Sequence, residues 1–186
     1  MRLFIAAQIE NENKKIIYEI QKQYKALSIK GTFTKNENYH ITLKFMGEVE
    51  KELIPKIIFV MDRAAEETAP FVFTSGNTGC FKKNDGSLLY LGINNGAENL
   101  WKLSTLLEEE LYKSGFKKEG KVFNPHITLG RRIKFKNDFN IITKEITLPG
   151  ITFDCSSITL MESFIEKGGS CYNPLYNAKF QGKTIL

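Results

Sequence analysis

The chain has 186 residues, 42% of them hydrophobic, and a formal net charge of +5. That length can bury most of its unfolded surface in one or two cores, and the composition belongs to a globular protein, not a disordered or fibrous one. No stretch approaches the roughly 20 apolar residues that cross a bilayer, and three widely spaced cysteines, Cys80, Cys155 and Cys171, supply neither an even disulfide framework nor a Cys-x-x-Cys pair for zinc or redox work.

The cysteines therefore read as free thiols in a reducing cytoplasm, and the lysine-rich charge leans toward a polyanionic partner. At the start of the chain, Met1 to Ala7 is apolar for only about five residues before Gln8 and Glu10, too short for a secretory apolar region. Residues 2 to 9 read instead as a first strand. Asn11 opens a helical pattern carried by Ile16, Ile17, Ile20, Tyr24 and Leu27, with Gly31 as its stop. A strand is expected from about Tyr39 to Met46, ending at Gly47. A second helix has Pro55 in its first turn and Leu53, Ile54, Ile57, Ile58, Met61 and Ala65 on its buried side.

After Pro70, Phe71 to Thr74 reads as strand, Ser75 to Gly79 as loop, and Ser87 to Ile93 as strand, with Lys82 to Gly86 as the turn between. The clearest helix covers Ala97 to Ser114, with Leu100, Leu103, Leu107 and Leu111 at helical spacing and Gly115 as its stop. Another strand follows Pro125, and a short helix is expected over Asn137 to Lys144. Ile151 to Phe153, Ser157 to Phe164 and Leu175 to Phe180 close the chain as strands, with Gly168-Gly169 as a loop tip. The order strand, helix, strand, helix occurs over residues 1 to 70 and again after residue 85. It predicts a single α+β domain, 1–186, of two pseudo-symmetric lobes. Each lobe would be a mainly antiparallel sheet backed by helices, with the active site in the cleft between them.

The two strands that follow Tyr39 and Pro125 begin alike, with His40-Ile41-Thr42-Leu43 and His126-Ile127-Thr128-Leu129, and the chain has only these two histidines. Three shared residues after two given positions arise by chance about once in a few thousand cases. On a strand, side chains alternate, so Ile and Leu of each copy anchor a core while His and Thr share the opposite face. Imidazole titrates near neutral pH, so one ring can serve as general base and the other as general acid. Two facing rings suit in-line displacement at phosphorus, where protons move on opposite sides, and Thr42 and Thr128 can donate to the non-bridging oxygens.

A metal site is the main chemical rival. A catalytic zinc usually has three protein ligands, and no acidic residue recurs beside the two tetrapeptides, so the reading is metal-free and cofactor-free. The chain also lacks a phosphate-cradling Gly-x-x-x-x-Gly-Lys loop completed by Ser or Thr, a Gly-x-Ser-x-Gly elbow and a dinucleotide fingerprint. Among basic neighbours, Lys44 and Arg132 have the strand parity of the histidines, whereas Arg131 has the parity of Leu129 unless Gly130 introduces a bulge.

Paired His-x-Thr-x motifs about 80 residues apart resemble the 2H phosphoesterase superfamily, and within it the bacterial and archaeal RNA 2′,3′-cyclic phosphodiesterases, also called 2′-5′ RNA ligases. The likeness extends to Met1-Arg2-Leu3-Phe4-Ile5-Ala6, to Asn38 through Gly47, to Phe123 through Arg131, and to Leu160-Met161-Glu162-Ser163 followed by Gly169 and Tyr172. It implies hydrolysis of an RNA-terminal or nucleoside 2′,3′-cyclic phosphate to a 2′-phosphomonoester, with possible reverse 2′-5′ ligation. The partners implied are RNA ends or nucleotides, with no membrane and no obligate protein partner. It further implies His40 as proton donor, His126 as proton acceptor and Arg131 as a phosphate contact, and so predicts the bulge at Gly130. Phe4, Phe81 and Tyr172 are candidates to stack on a base. The alternatives are a non-catalytic RNA-binding module of the same fold and a phosphodiesterase for another cyclic phosphate.

Overall fold

The computed structural model describes residues 1–166 and 169–182. Within them the chain runs β1 (Arg2–Gln8), α1 (Asn11–Ala26), β2 (Ser28–Phe33), β3 (His40–Glu48), α2 (Ile54–Glu67), β4 (Phe71–Lys83), β5 (Gly86–Ile93), α3 (Ala97–Lys113), β6 (His126–Phe135), α4 (Phe139–Ile142), β7 (Thr152–Cys155), β8 (Ser157–Glu166) and β9 (Gly169–Lys179). The strands form one nine-stranded sheet in the order β7-β4-β5-β6-β3-β1-β8-β9, with β2 paired to β6. Every pairing is antiparallel. Among the described residues no helix is long and apolar enough to cross a membrane.

The α+β class is as expected, and the halves meet where β3 and β6 pair through Ile41 and Ile127. One half holds β3, β1, β8 and β9, and the other holds β6, β5, β4, β7 and β2. These halves interleave in sequence: α1 follows β1 yet packs against β2 and buries Tyr24 against Phe135 and Phe139, while α3 follows β5 yet packs on β3. The helices cover one face. Leu3, Ile5 and Ala7 of β1 point into the main core with Ile41, Ile127 and the leucines of α3, whereas Phe4 and Ala6 belong to a small cluster on the other face with Met161 and Tyr172.

Several boundaries differ from the sequence expectation. The first helix ends at Ala26 and not near Gly31, which lies inside β2. A Cβ on Gly31 would collide with the Ile133 side chain, so glycine marks a close strand approach and not a helix stop. Ser75 to Gly79, expected as a loop, lies within the thirteen-residue β4, whose register slips between Ser75 and Thr78. Gly79 is small because the Tyr90 ring lies where its Cβ would stand. The short helix shrinks to α4, capped by Asp138 accepting from the Asn140 amide at 2.9 Å, followed by a 3-10 turn. The last strand begins at Gly169, well before Leu175. Gly168, expected to share the loop tip, lies outside the described residues.

Lys44 corrects the parity argument. Against β1, Ala6 pairs with Thr42 but Ile5 pairs with Lys44, so Leu43 is an extra residue and alternation is broken. Lys44 therefore turns into the helix layer instead of sharing the His40 face. There it is 2% exposed, donates to the Lys117 carbonyl at 3.1 Å, and pairs with Glu108 of α3 and, at 3.9 Å, with Glu119. It is a packing cation, not a phosphate contact. Glu108→Ala takes the nearer carboxylate from this buried ammonium, leaving Glu119 and the Lys117 carbonyl, and is expected to lower the unfolding free energy by about 1.5–3 kcal/mol, whereas replacing both partners, Lys44→Met with Glu108→Leu, stays close to neutral. Urea unfolding of the two variants measures the difference.

Candidate active site

His40 and His126 are the first residues of β3 and β6, and the Ile41–Ile127 pair brings the two strands side by side at that point. With Ile41 and Ile127 in the core, the alternation of each strand puts both histidines and both threonines on the face the helices leave open. In the antiparallel register, Thr42 lies across from His126, and Thr128 across from His40. The two motifs thus cross head to tail at one place, although 86 residues separate them in the chain.

Each ring is held the same way. His40 Nδ1 lies 2.7 Å from the carbonyl oxygen of Asn38, and His126 Nδ1 lies 2.7 Å from that of Asn124. A carbonyl only accepts, so both Nδ1 atoms carry hydrogen, and in the neutral ring Nε2 keeps its lone pair. His40 Nε2 is 2.9 Å from Thr42 Oγ1, which donates to it. Sequence reasoning did not find this main-chain anchor, although Asn two residues before each histidine extends the repeat. Asn38 itself is tied down, its Nδ2 donating to the Ser170 carbonyl of β9 at 2.8 Å.

Aromatic rings bracket both imidazoles. His40 sits 4.9 Å from Phe4 and 5.2 Å, edge-on, from Tyr172 between ring centroids. His126 sits 5.4 Å from Tyr90 and 6.0 Å from Phe81, which stack on each other at 4.6 Å. Phe4 is only 3% exposed and shows no free face. It packs against His40 and is corrected from base contact to support. Phe81, 39% exposed, and half-buried Tyr172 keep accessible surface. Tyr90 and the exposed Phe45, whose ring is 6.0 Å from Phe4, join the site without having been expected there. The signal for Tyr90 was its place at alternate spacing in an apolar strand; for Phe45 the bulge at Leu43 hid it.

The expected irregularity near Gly130 is present. Against β5, Thr128 pairs with Tyr90 while Gly130 pairs with Leu89, so Leu129 is extra, and Leu129 and Gly130 are both buried. Alternation is reset, and exposed Arg131 comes onto the histidine face. Arg132, exposed, adopts φ 55° and aims Nη2 at Thr32 Oγ1, 3.3 Å away. It points toward β2 and away from the imidazoles, so strand parity misplaced it.

The charge environment follows from this packing. Burial pushes His40 down to about 4, opposed by the Asn38 carbonyl and reinforced by the positive charges of Arg131, Lys14 and His126. His126 is also pushed down by burial, against the Asn124 carbonyl and with the push of Arg131. Both rings are therefore neutral near pH 7. Among the described residues no group of three or more His, Cys, Asp or Glu side chains is placed to hold a metal ion.

The family model of LigT-like phosphoesterases matches residues 7–90. The RNA 2′,3′-cyclic phosphodiesterase of Thermotoga maritima is 33% identical over 186 residues, covering 100% of this chain and 98% of that protein. The enzyme of the same name from Methanocaldococcus jannaschii is 32% identical over 177 residues, covering 92% of this chain and 96% of its own. Among solved structures, a Thermus thermophilus protein superposes with a TM-score of 0.79 at 23% identity, covering 99% of this chain and 100% of that one. Escherichia coli LigT complexed with 3′-AMP gives 0.78 at 24%, covering 96% and 97%.

With only two histidines, proton NMR resolves each imidazole. Both are expected to titrate below the ordinary 6.5, His40 lowest, near 4. The unfolded chain binds these protons first, so stability is lost as pH falls from 6.5 toward 4. Chemical unfolding across that window measures the loss, and His40→Gln is expected to flatten the slope.

Proposed function

Since this chain belongs to the LigT-like phosphoesterases, the family of the RNA 2′,3′-cyclic phosphodiesterases, we propose that it hydrolyses RNA-terminal or nucleoside 2′,3′-cyclic phosphate to a 2′-phosphomonoester by paired-histidine catalysis. The observation that carries this reading is the crossing of the two His-x-Thr strands, each imidazole anchored at Nδ1 by a main-chain carbonyl with Nε2 left for chemistry.

In the proposed reaction, water attacks phosphorus while His126 Nε2 takes its proton. The new P–O bond forms as the P–O3′ bond breaks, and a proton on His40 Nε2 passes to the departing 3′ oxygen. His40 must first be charged. Burial disfavours that charge, but an anionic phosphate beside the ring favours it, so the acid is assembled when substrate binds. Thr42, Thr128 and Arg131 are assigned to the non-bridging oxygens, where negative charge grows in the transition state. Thr42 is bonded to His40 Nε2 and would turn to the phosphate as that nitrogen becomes a donor. If the 5′-hydroxyl of a second RNA replaces water, the same proton movements yield a 2′-5′ linkage.

The assay is conversion of adenosine 2′,3′-cyclic phosphate in excess EDTA, with the product isomer identified chromatographically. Release of the 2′-phosphate is expected; unchanged substrate would mean a binding module, and a 3′-phosphate would mean the wrong bond breaks. His40→Ala and His126→Ala are each expected to reduce turnover at least about 100-fold with the fold intact. A substrate with sulfur in place of the 3′ bridging oxygen needs no leaving-group proton and is expected to rescue His40→Ala alone. Rescue of His126→Ala instead would reverse the two roles.

A further inference from the structure

β6 does not end at the histidine site. It continues from His126 and Thr128 through the bulge to Arg131 and Arg132, where a second cleft of about 210 Å³ is lined by Lys83, Asp85, Leu88, Arg131 and Arg132. Its inner wall belongs to the same face as the site. Leu88 pairs with Phe81 across the β4–β5 hairpin, and Phe81 stacks on Tyr90 beside His126. Arg131 is common to both places, lining the cleft and pushing on both imidazoles.

The charge of the cleft is uncompensated. Three cations face one carboxylate, Asp85, and among the described residues no ion pair within 4.0 Å involves Lys83, Asp85, Arg131 or Arg132. The backbone is fitted to it as well. Arg132 takes a left-handed φ of 55°, uncommon for a residue with a Cβ. The hairpin glycine, Gly86, packs so closely on it that a Cβ there would stand 2.7 Å from the Arg132 carbonyl carbon. The cleft is smaller than the about 300 Å³ at which small-molecule pockets usually begin, so it suits a phosphate group and not a whole nucleoside.

We propose that this cleft is a second phosphate subsite, one that takes the phosphate on the 5′ oxygen of the nucleoside whose cyclic phosphate lies between the histidines. The inference rests on the proposed function and deepens it: the substrate is an RNA end with at least one further phosphodiester upstream, gripped without regard to base sequence. Arginine forks and lysine suit phosphate oxygens, and Arg131 spans the ribose between the two phosphates. Thr32 steadies the Arg132 guanidinium from β2.

The test compares kcat/KM for adenosine 2′,3′-cyclic phosphate, for its 5′-phosphorylated form, and for the dinucleotide ApA ending in a cyclic phosphate. Both substrates carrying the 5′ phosphate are expected to exceed the nucleoside by about tenfold or more, the scale of one or two charge-assisted hydrogen bonds. The advantage should shrink with added salt and fall to about twofold or less in Lys83→Ala with Arg132→Gly, glycine being chosen because it accepts positive φ. Lys83→Ala alone, which leaves the backbone at Arg132 untouched, should lose part of it. An equal kcat/KM for all three substrates, or an advantage that survives both substitutions, overturns the subsite. A gain for the dinucleotide alone overturns it too, because the second nucleoside and not the phosphate would be recognised. If the unaltered protein turns over none of the three, the phosphodiesterase reading itself fails.

Discussion

The ladder between β3 and β6 consists of a single residue pair, Ile41 opposite Ile127, and both side chains are fully buried. That pair sets the register for everything around it. A slip of one residue would send the imidazoles into the helix layer and the isoleucines to the open face, at the cost of two buried apolar side chains, each worth about 1.5–3 kcal/mol. The hydrophobic contact that joins the two halves of the sheet is therefore also what aligns the polar face. Core and site are two sides of one constraint.

The symmetry around this pair reaches further than the repeated tetrapeptides. Both strands leave the motif through an extra residue, Leu43 in β3 and Leu129 in β6, and both then bury two successive positions. Lys44 occupies the place that Gly130 holds in the other strand, and Phe45 the place of Arg131. Equivalent positions on the open face thus carry an aromatic ring on one side and a guanidinium on the other. The framework is nearly two-fold, and the chemistry it presents is not, as a reaction with distinct attacking and leaving groups requires.

Much of this was legible in the sequence where one physical rule dominated. Alternation placed Ile41, Leu43, Ile127 and Leu129 in the core and His40, Thr42, His126 and Thr128 opposite, and helical spacing marked the leucines of α3. The misreadings came where a local rule met a tertiary one. Gly31 and Gly79 carry the residue type of a turn but serve close packing against Ile133 and Tyr90. Lys44 and Arg132 have the right parity in an ideal strand, and a bulge changes the count in each case. Phe4 lies on the expected face but under other rings. None of these turns on composition, because each depends on which strand lies next door.

The carbonyl anchors of the histidines have one further consequence. In many sites a carboxylate stands behind the imidazole, and a single substitution removes it. Here the acceptor at Asn38 and at Asn124 is the peptide oxygen, a group every amino acid brings with it. The orientation of each ring is thereby sheltered from genetic change at the very residue that supplies it, and drift at those positions can alter neighbours such as the tie to β9 while leaving the aim of both rings intact.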